Sequence, residues 1–276
     1  MFFEISGITV PLWLPPLVAF SISVFTSMVG ISGAFLLIPF QMSVLGYVSP
    51  SVSATNLVFN LVAIPGGVWR YMREGRMDWR LAWTIAAGTL PGLLAGWWLR
   101  IHWLPDPRGF KLFVGLVLGS LALKLFADLF RGAAADATVR VEYPRRPVMA
   151  LALVIGVIGG IYGIGGGAIM APVLVAMFGL SLHGIAGATL LGTLLTSVAG
   201  VAIYQFLPAP PGMETRPDWP LGILFGLGGL AGMYAGARLQ KFVPRRTLAL
   251  GIAVVLAVLA ATYVTQYFWL YVIWNG

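Results

Sequence analysis

Two short glycine-rich segments contain the residues best suited to chemistry in this sequence. Gly30-Ile31-Ser32-Gly33-Ala34 precedes Pro39, and Gly163-Ile164-Gly165-Gly166-Gly167 precedes Pro172 at the same spacing. Glycine lets backbone N–H groups approach an oxyanion and adopts φ > 0 without strain. A helix interrupted there presents free N–H groups and the positive end of its dipole. The pattern favours an anion cradle, and the alternative is that these glycines only permit close helix packing.

Polar side chains follow each glycine segment at helical spacing. Thr55, Asn56 and Asn60 lie near one face of the next segment, and the second half has Thr189, Thr193 and Thr196 at loosely matching positions. Polar groups inside hydrocarbon must find partners. They either line a polar pocket or hydrogen-bond between helices, and the sequence leaves both open. Asn56 and Asn60 are the strongest candidates, and the weaker ones are Gln41, Tyr162 and Gln205.

Ionisable residues are missing from the centres of the apolar segments. All nine acidic residues lie in joints or at segment ends, so a carboxylate relay for protons or cations is not predicted. No basic residue occupies a segment centre either, which means that neutral dipoles must hold any anion. Cysteine is absent, which excludes disulfides, thiolate metal sites and a cysteine nucleophile. No metal and no cofactor are predicted.

An intramembrane serine protease is a rival interpretation, because Gly30-Ile31-Ser32-Gly33 fits the Gly-x-Ser-Gly nucleophile motif. Such an enzyme needs a histidine within hydrogen-bond reach of the serine. The two histidines, His102 and His183, both lie in joints, and the counterpart of Ser32 in the second half is Gly165. We therefore expect no enzymatic activity.

Composition identifies the solvent around these elements as lipid. Of 276 residues, 59% are hydrophobic and only 9% are charged, whereas soluble domains average about 25% charged residues. The length allows roughly eight helical crossings of about 20 residues each. The net charge of +8 comes from clusters between apolar runs, which is typical of loops beside anionic lipid rather than of nucleic-acid binding.

The chain also divides into two similar halves. The apolar segments cover roughly 12–45, 52–70, 80–99, 110–130, 148–178, 184–207, 219–240 and 246–273. Asp78-Trp79 opens the third segment of the first half, and Asp218-Trp219 opens the third segment of the second. We predict a first membrane repeat over 1–130, a linker over 131–147 and a second repeat over 148–276.

The first segment of each half is too long for one crossing, and its middle is the glycine stretch. We interpret it as a helical hairpin broken at glycine. The hairpin places thirteen of the 17 Lys and Arg residues on one side, as the positive-inside rule favours. These are Arg70, Arg73, Arg76, Arg80, Lys124, Arg131, Arg140, Arg145, Arg146, Arg238, Lys241, Arg245 and Arg246. The predicted fold is an all-α polytopic membrane protein of two inverted repeats, each a glycine-broken hairpin followed by about three transmembrane helices.

The paired glycine segments, each followed by proline and opening one half of the chain, resemble the TauE/SafE sulfite exporter family, also called toluene sulfonate uptake permeases. The resemblance covers nearly the whole chain. It implies a transporter of sulfite, sulfoacetate or related organic anions in the bacterial cytoplasmic membrane. It points to substrate-binding positions at Gly30, Gly33, Thr55, Asn56, Gly163, Gly165, Gly166, Gly167 and Thr189. Ser32 and Ala34 replace glycines of the family pattern, and Leu190 stands opposite Asn56.

The sequence thus predicts a secondary transporter of small sulfur-containing or organic anions that works as an exporter by alternating access. Its expected partners are the small anion and membrane lipid, and a homodimer is compatible with the sequence. An anion channel with the same pore chemistry and a purely structural subunit of a larger complex remain as alternatives.

Overall fold

The protein is a helical bundle in which nearly every described residue beyond position 13 belongs to a helix or a short joint. The computed structural model describes residues 1–29, 32–131, 143–178, 180, 182–239, 242–243 and 245–275. A two-stranded antiparallel hairpin, β1 (Phe2–Phe3) and β2 (Ile8–Thr9), precedes the first helix. Within these described residues, six helical spans are long and apolar enough to cross a membrane. The prediction of an all-α polytopic membrane protein is confirmed.

Each half contains a broken pair of helices followed by three long spans. The helices of the first half are α1 (Leu14–Val29), α2 (Ala34–Ser43), α3 (Ser51–Ala63), α4 (Pro65–Arg73), α5 (Trp79–His102) and α6 (Pro107–Arg131). Those of the second half are α7 (Arg145–Tyr162), α8 (Gly166–Phe178), α9 (Leu182–Phe206), α10 (Trp219–Leu239) and α11 (Arg245–Asn275). Helices α3 and α4 form one span, divided where Pro65 lacks the N–H of a regular helix.

The predicted helix breaks occur at both glycine segments. Helix α7 ends at Gly163, which has φ 77° and donates its N–H to the Gly159 carbonyl. Gly165, with φ 73°, directs the chain into α8. Both angles lie in the left-handed region, where a side chain is strained. Gly33 occupies the N-cap of α2, while Gly30 and Ile31 lie outside the described residues.

Two pairs of long helices pack across the boundary between the halves. Helix α5 packs along α7, with Gly88 against Met149 and Gly96 against Val157. Helix α1 packs along α10 in the same manner, with Pro16 against Gly228. Residue numbers rise together along both pairs, as the contact of Gly236 with Val24 and Ser27 also shows. Each pair is therefore parallel.

The central helices fix the directions of the rest. Helix α3 runs parallel to α10, with Gly222 against Val58 and Gly226 against Val62. Helix α9 runs opposite to α3, because Leu190 lies against Gly67 whereas Leu57 lies against Gly200. It runs parallel to α5, because Ile85 lies against Gly192 and Leu93 against Gly200. Helices α1, α3 and α10 thus point one way, and α5, α7 and α9 point the other way.

These directions gather basic residues at one end of the bundle. Helices α4 and α10 end there and α5, α7 and α11 begin there. The arginines that this end contributes are Arg70, Arg73, Arg76, Arg80, Arg145, Arg146, Arg238, Arg245 and Arg246. The amino-terminal hairpin and the last turn of α11 lie at the opposite end. We call these the basic end and the terminal end.

Candidate functional site

The two helix breaks meet at the side chain of Asn56. Its Nδ2 donates to the carbonyl of Gly163 at 2.8 Å and to the carbonyl of Ala34 at 3.3 Å. The Tyr162 hydroxyl makes a second connection by donating to the Phe35 carbonyl at 2.7 Å. One amide nitrogen on α3 therefore bridges the start of α2 and the end of α7. We call this meeting point the junction.

Other polar groups on α3 secure the same stretch of backbone. Asn60 Nδ2 donates to the Ile164 carbonyl at 3.1 Å, and the Ser53 hydroxyl donates to the Ile161 carbonyl at 2.9 Å. Asn56 and Asn60 are both 0% exposed. Both amides hydrogen-bond to neighbouring helices, which is one of the two roles that the sequence left open. The Gly163 and Ile164 carbonyls to which they donate follow the end of α7, where the broken helix supplies no partner.

Each of these amides also keeps an oxygen without a partner. Oδ1 of Asn56 and Oδ1 of Asn60 are buried and make no hydrogen bond to any described residue. Buried polar atoms in folded proteins are nearly always satisfied by protein, water or ligand. An unpaired group of this kind costs about 1–3 kcal/mol. The junction therefore has unused hydrogen-bonding capacity beside both asparagines.

The first turn of α8 faces hydroxyl groups on α9. The Gly166 N–H donates to Thr196 Oγ1 at 3.2 Å. A Cβ on Gly165 would lie 3.2 Å from Ser197 Oγ, and one on Gly167 would lie 2.0 Å from the Thr189 carbonyl oxygen. Side chains at these two positions would force α8 away from α9. Close approach is thus one function of these glycines, and it brings the α8 N–H groups beside hydroxyls.

The start of α2 has a similar but smaller arrangement. The Ala34 N–H donates to Ser32 Oγ at 3.3 Å. A Cβ on Gly33 would lie 2.6 Å from Ser23 Oγ on α1. Ser23 Oγ, like Ser197 Oγ on α9, is buried without a partner among the described residues. Each helix break therefore lies beside one unsatisfied serine hydroxyl, and neither serine was predicted from the sequence.

Thr55 lies in a different network from its neighbour Asn56. Its Oγ1 accepts the Asp218 N–H at 2.9 Å and lies 2.9 Å from the Tyr47 hydroxyl. The Asp218 carboxylate caps α10 at Leu221 and accepts the Ser6 hydroxyl at 2.8 Å. Consecutive helical residues point about 100° apart, so Thr55 faces α10 while Asn56 faces the junction.

The remaining candidate side chains have different surroundings and hydrogen-bond partners. Thr189 and Thr193 donate within α9, to Ala186 and Thr189 carbonyls at 3.1 and 2.9 Å. The Gln41 side chain is buried with Oε1 unpaired among the described residues. Gln205 instead accepts from the Trp219 indole at 3.2 Å in an exposed pair. It lies away from the junction.

One buried cation was missed from the sequence. Arg100 is 0% exposed, although the predicted apolar segment ends at position 99. It forms no ion pair with any residue that the structure describes. A shift in the segment boundary of one residue would have included it, but only its three-dimensional neighbours show that it is buried.

The protease arrangement gains no support from the described histidine. His102 is exposed, stacks on Trp98 at 4.8 Å and has Nδ1 3.0 Å from the Trp98 carbonyl. The side chain of His183 lies outside the described residues. The Ser32 hydroxyl accepts the Ala34 N–H two residues later, which is a local turn contact just before α2.

Comparison with known proteins relates the chain to a transporter family and to a curated membrane protein. The model of the family described as Sulfite exporter TauE/SafE matches residues 16–263. The protein named "Probable membrane transporter protein y4hK" from Sinorhizobium fredii (strain NBRC 101917 / NGR234) is 27% identical over 134 residues. That alignment covers 49% of this chain and 53% of the relative, so the chain spans about half the length of the curated protein that it matches. No solved structure matches the chain.

Proposed function

Because this chain belongs to the sulfite exporter TauE/SafE family of membrane transporters, we propose that it exports small sulfur-containing or organic oxyanions. Sulfite and short organosulfonates are the substrates that this proposal names. The observation that carries it is the meeting of both helix breaks at Asn56, where buried polar atoms lack partners among the described residues. The described chain is a multi-pass membrane protein, and we place it in the bacterial inner membrane.

Neutral groups bind the anion in this proposal. Helices α2, α3, α8 and α9 contain no Asp, Glu, Lys or Arg. Helices α2 and α8 both begin at the junction, so the positive ends of their dipoles lie there. The Ser197 hydroxyl lies beside α8 without a partner among the described residues and adds a further donor. Binding without a buried ion pair leaves the anion easier to release than one held by a guanidinium.

The unpaired amide oxygens suggest which form of the substrate is bound. Oδ1 of Asn56 and Oδ1 of Asn60 can only accept hydrogen bonds. A singly protonated oxyanion such as hydrogen sulfite supplies both acceptor oxygens and one O–H donor. Such a substrate would carry its proton with it, which needs no carboxylate relay. An unprotonated sulfonate would instead require a water beside the asparagines.

Alternating access is the proposed mechanism. The opposite directions of α1 and α7, of α3 and α9, and of α5 and α10 support two inverted repeats related around the junction. In the structure Asn56 and Asn60 are fully buried, which corresponds to an occluded arrangement. Rocking of one repeat against the other would open the junction first to one side and then to the other.

The basic end is proposed to face the cytoplasm, following the positive-inside rule. Arginines at this end also raise the local concentration of anions before they enter the bundle. Entry from the basic end and release at the terminal end would constitute export. Both chain termini would then lie outside the cytoplasm.

Flux measurements with amide variants test the proposal. Asn56→Ala and Asn60→Ala, reconstituted in proteoliposomes, should lower saturable sulfite or sulfonate uptake by tenfold or more, since loss of hydrogen bonds worth about 1.4 kcal/mol gives that factor. Gln205→Ala removes an exposed amide from α9 and should transport normally. Wild-type uptake without saturation and linear with voltage would instead identify a channel. Equal flux in Asn56→Ala and Gln205→Ala would remove the junction as the site.

A further inference from the structure

Arg100 is a buried guanidinium near the terminal end of α5 whose bonding is incomplete. The side chain is 0% exposed. Its Nη1 donates to the Leu104 carbonyl, and its Cζ lies 3.7 Å above the centre of the Phe110 ring. Nε and Nη2 have no hydrogen-bond partner among the described residues. A charge buried within a membrane protein is costly and usually has a function.

The unpaired nitrogens lie on the edge of the guanidinium that suits an oxyanion. Nε and Nη2 point to the same side, and this edge forms two parallel hydrogen bonds to one oxyanion. The contacts with Leu104 and Phe110 occupy the other end and the face of the group. They account for its orientation at the end of α5, but they leave Nε and Nη2 without a partner among the described residues.

A second donor lies one helical turn away. Trp97 precedes Arg100 by three residues, so the two side chains are neighbours on the helix surface. Trp97 is 7% exposed, and its Nε1 is also buried without a partner among the described residues. An indole N–H and a guanidinium can only donate. The two side chains together form a set of unused donors that requires an acceptor.

Tyr204 places these donors next to the junction. Its side chain lies in the same buried cluster as Trp97, one helical turn from Arg100. Its hydroxyl donates to the Gly160 carbonyl at 3.0 Å, close to where α7 breaks. Arg100 is thus positioned between the junction and the terminal end, on the side opposite the basic end.

We propose that Arg100 and Trp97 form a second binding site for a small oxyanion on the release side of the junction. The ligand is a sulfite or sulfonate group held on the Nε and Nη2 edge, with the indole N–H as a further donor. The inference rests on the proposed function, because the anion that occupies this site is the one that leaves the junction. The cation there attracts the anion out of a neutral site and toward the terminal end.

Binding and flux measured on matched variants test this site. Arg100→Gln and Trp97→Phe remove donors, Arg100→Lys keeps the charge without the planar edge, and Arg108→Gln removes an exposed cation from the same end. The first assay is the thermal stabilisation of purified full-length protein by increasing sulfite, and the second is sulfite flux in proteoliposomes. Arg100→Gln should raise the half-saturating sulfite concentration by about 10- to 100-fold, as expected for hydrogen bonds to a charged group. Arg100→Lys should show a smaller rise, and Arg108→Gln should stay within about twofold of wild type.

Three results would overturn the site. Arg100→Gln could melt earlier yet bind and transport sulfite like wild type, which would leave only a helix cap. Alternatively, phosphatidylglycerol vesicles could stabilise the protein through Arg100 while sulfite does not. That result would assign the donors to a lipid phosphate. Sulfite could also stabilise wild type and all variants equally. If wild type binds sulfite through Arg100 but moves neither sulfite nor sulfonates, the transport proposal fails while the site stands.

Discussion

Replacing Gly163 by alanine tests how tightly α3 and the α7 break are joined. Gly163 has φ 77°, and a Cβ there would lie 2.2 Å from the Ser53 carbonyl oxygen and 2.6 Å from the Ser53 Cα. Both atoms belong to the α3 backbone, which cannot move without also shifting Asn56 away from the junction. Gly46 is the matched control, because it has φ 70° and a Cβ added there would meet nothing within 4 Å. Gly46→Ala therefore measures the free-energy cost of a positive φ at alanine, without a steric clash.

The difference in stability between Gly163→Ala and Gly46→Ala measures the cost of the steric clash with α3. Alanine in the left-handed region costs about 1–2 kcal/mol, offset by roughly 0.4–1 kcal/mol of lost unfolded-state entropy. Gly46→Ala should thus destabilise by about 1 kcal/mol. Gly163→Ala adds overpacking of about 1–3 kcal/mol, which gives a total of about 2–4 kcal/mol.

Thermal melting in detergent at one fixed scan rate ranks the variants, because membrane proteins often unfold irreversibly. At about 2–4 °C per kcal/mol, Gly163→Ala should melt roughly 4–16 °C below wild type and Gly46→Ala only about 2–4 °C below. Transport by Gly163→Ala should also be lost, since the clash separates Asn56 from the break. Similar melting and similar flux for the two alanine variants would refute the proposed fit of α3 against α7.

Two further predictions concern stability. Thr55→Val should lower the free energy of unfolding by about 1–3 kcal/mol, because it leaves the buried Asp218 N–H and Tyr47 hydroxyl without that partner; unchanged melting would show that this network contributes nothing. Gly251→Ala should leave stability unchanged or raise it by up to about 1 kcal/mol, because Gly251 is helical with nothing within 4 Å of an added Cβ; a lower melting temperature would contradict the helical packing of α11.

The sequence was sufficient to predict the helix breaks, because the property that causes them is local. Gly163 and Gly165 adopt positive φ, which glycine alone adopts without strain, and two such residues close together cannot continue an α-helix. Asp78 and Asp218 each cap the helix that follows, by accepting the N–H of Leu81 and Leu221. Side-chain capping of this kind depends only on neighbouring residues and so can be predicted from their order.

The partners of the polar side chains could not be predicted, because they come from distant parts of the chain. Asn56 contacts carbonyls 22 and 107 residues away. Thr55 was grouped with Asn56, yet it bonds to a residue 163 positions later. The burial of Arg100 depends on Phe110, whose ring lies against the guanidinium. Hydropathy along the chain detects none of these contacts.

A crystal structure with selenite in place of sulfite would test the junction most directly. Selenium scatters anomalously, so a bound anion can be located independently of water or lipid density. A selenium peak within hydrogen-bonding distance of Asn56 and the first turn of α8 is the predicted result. Anomalous density confined to the basic end, in protein that transports selenite, would contradict binding at the two helix breaks.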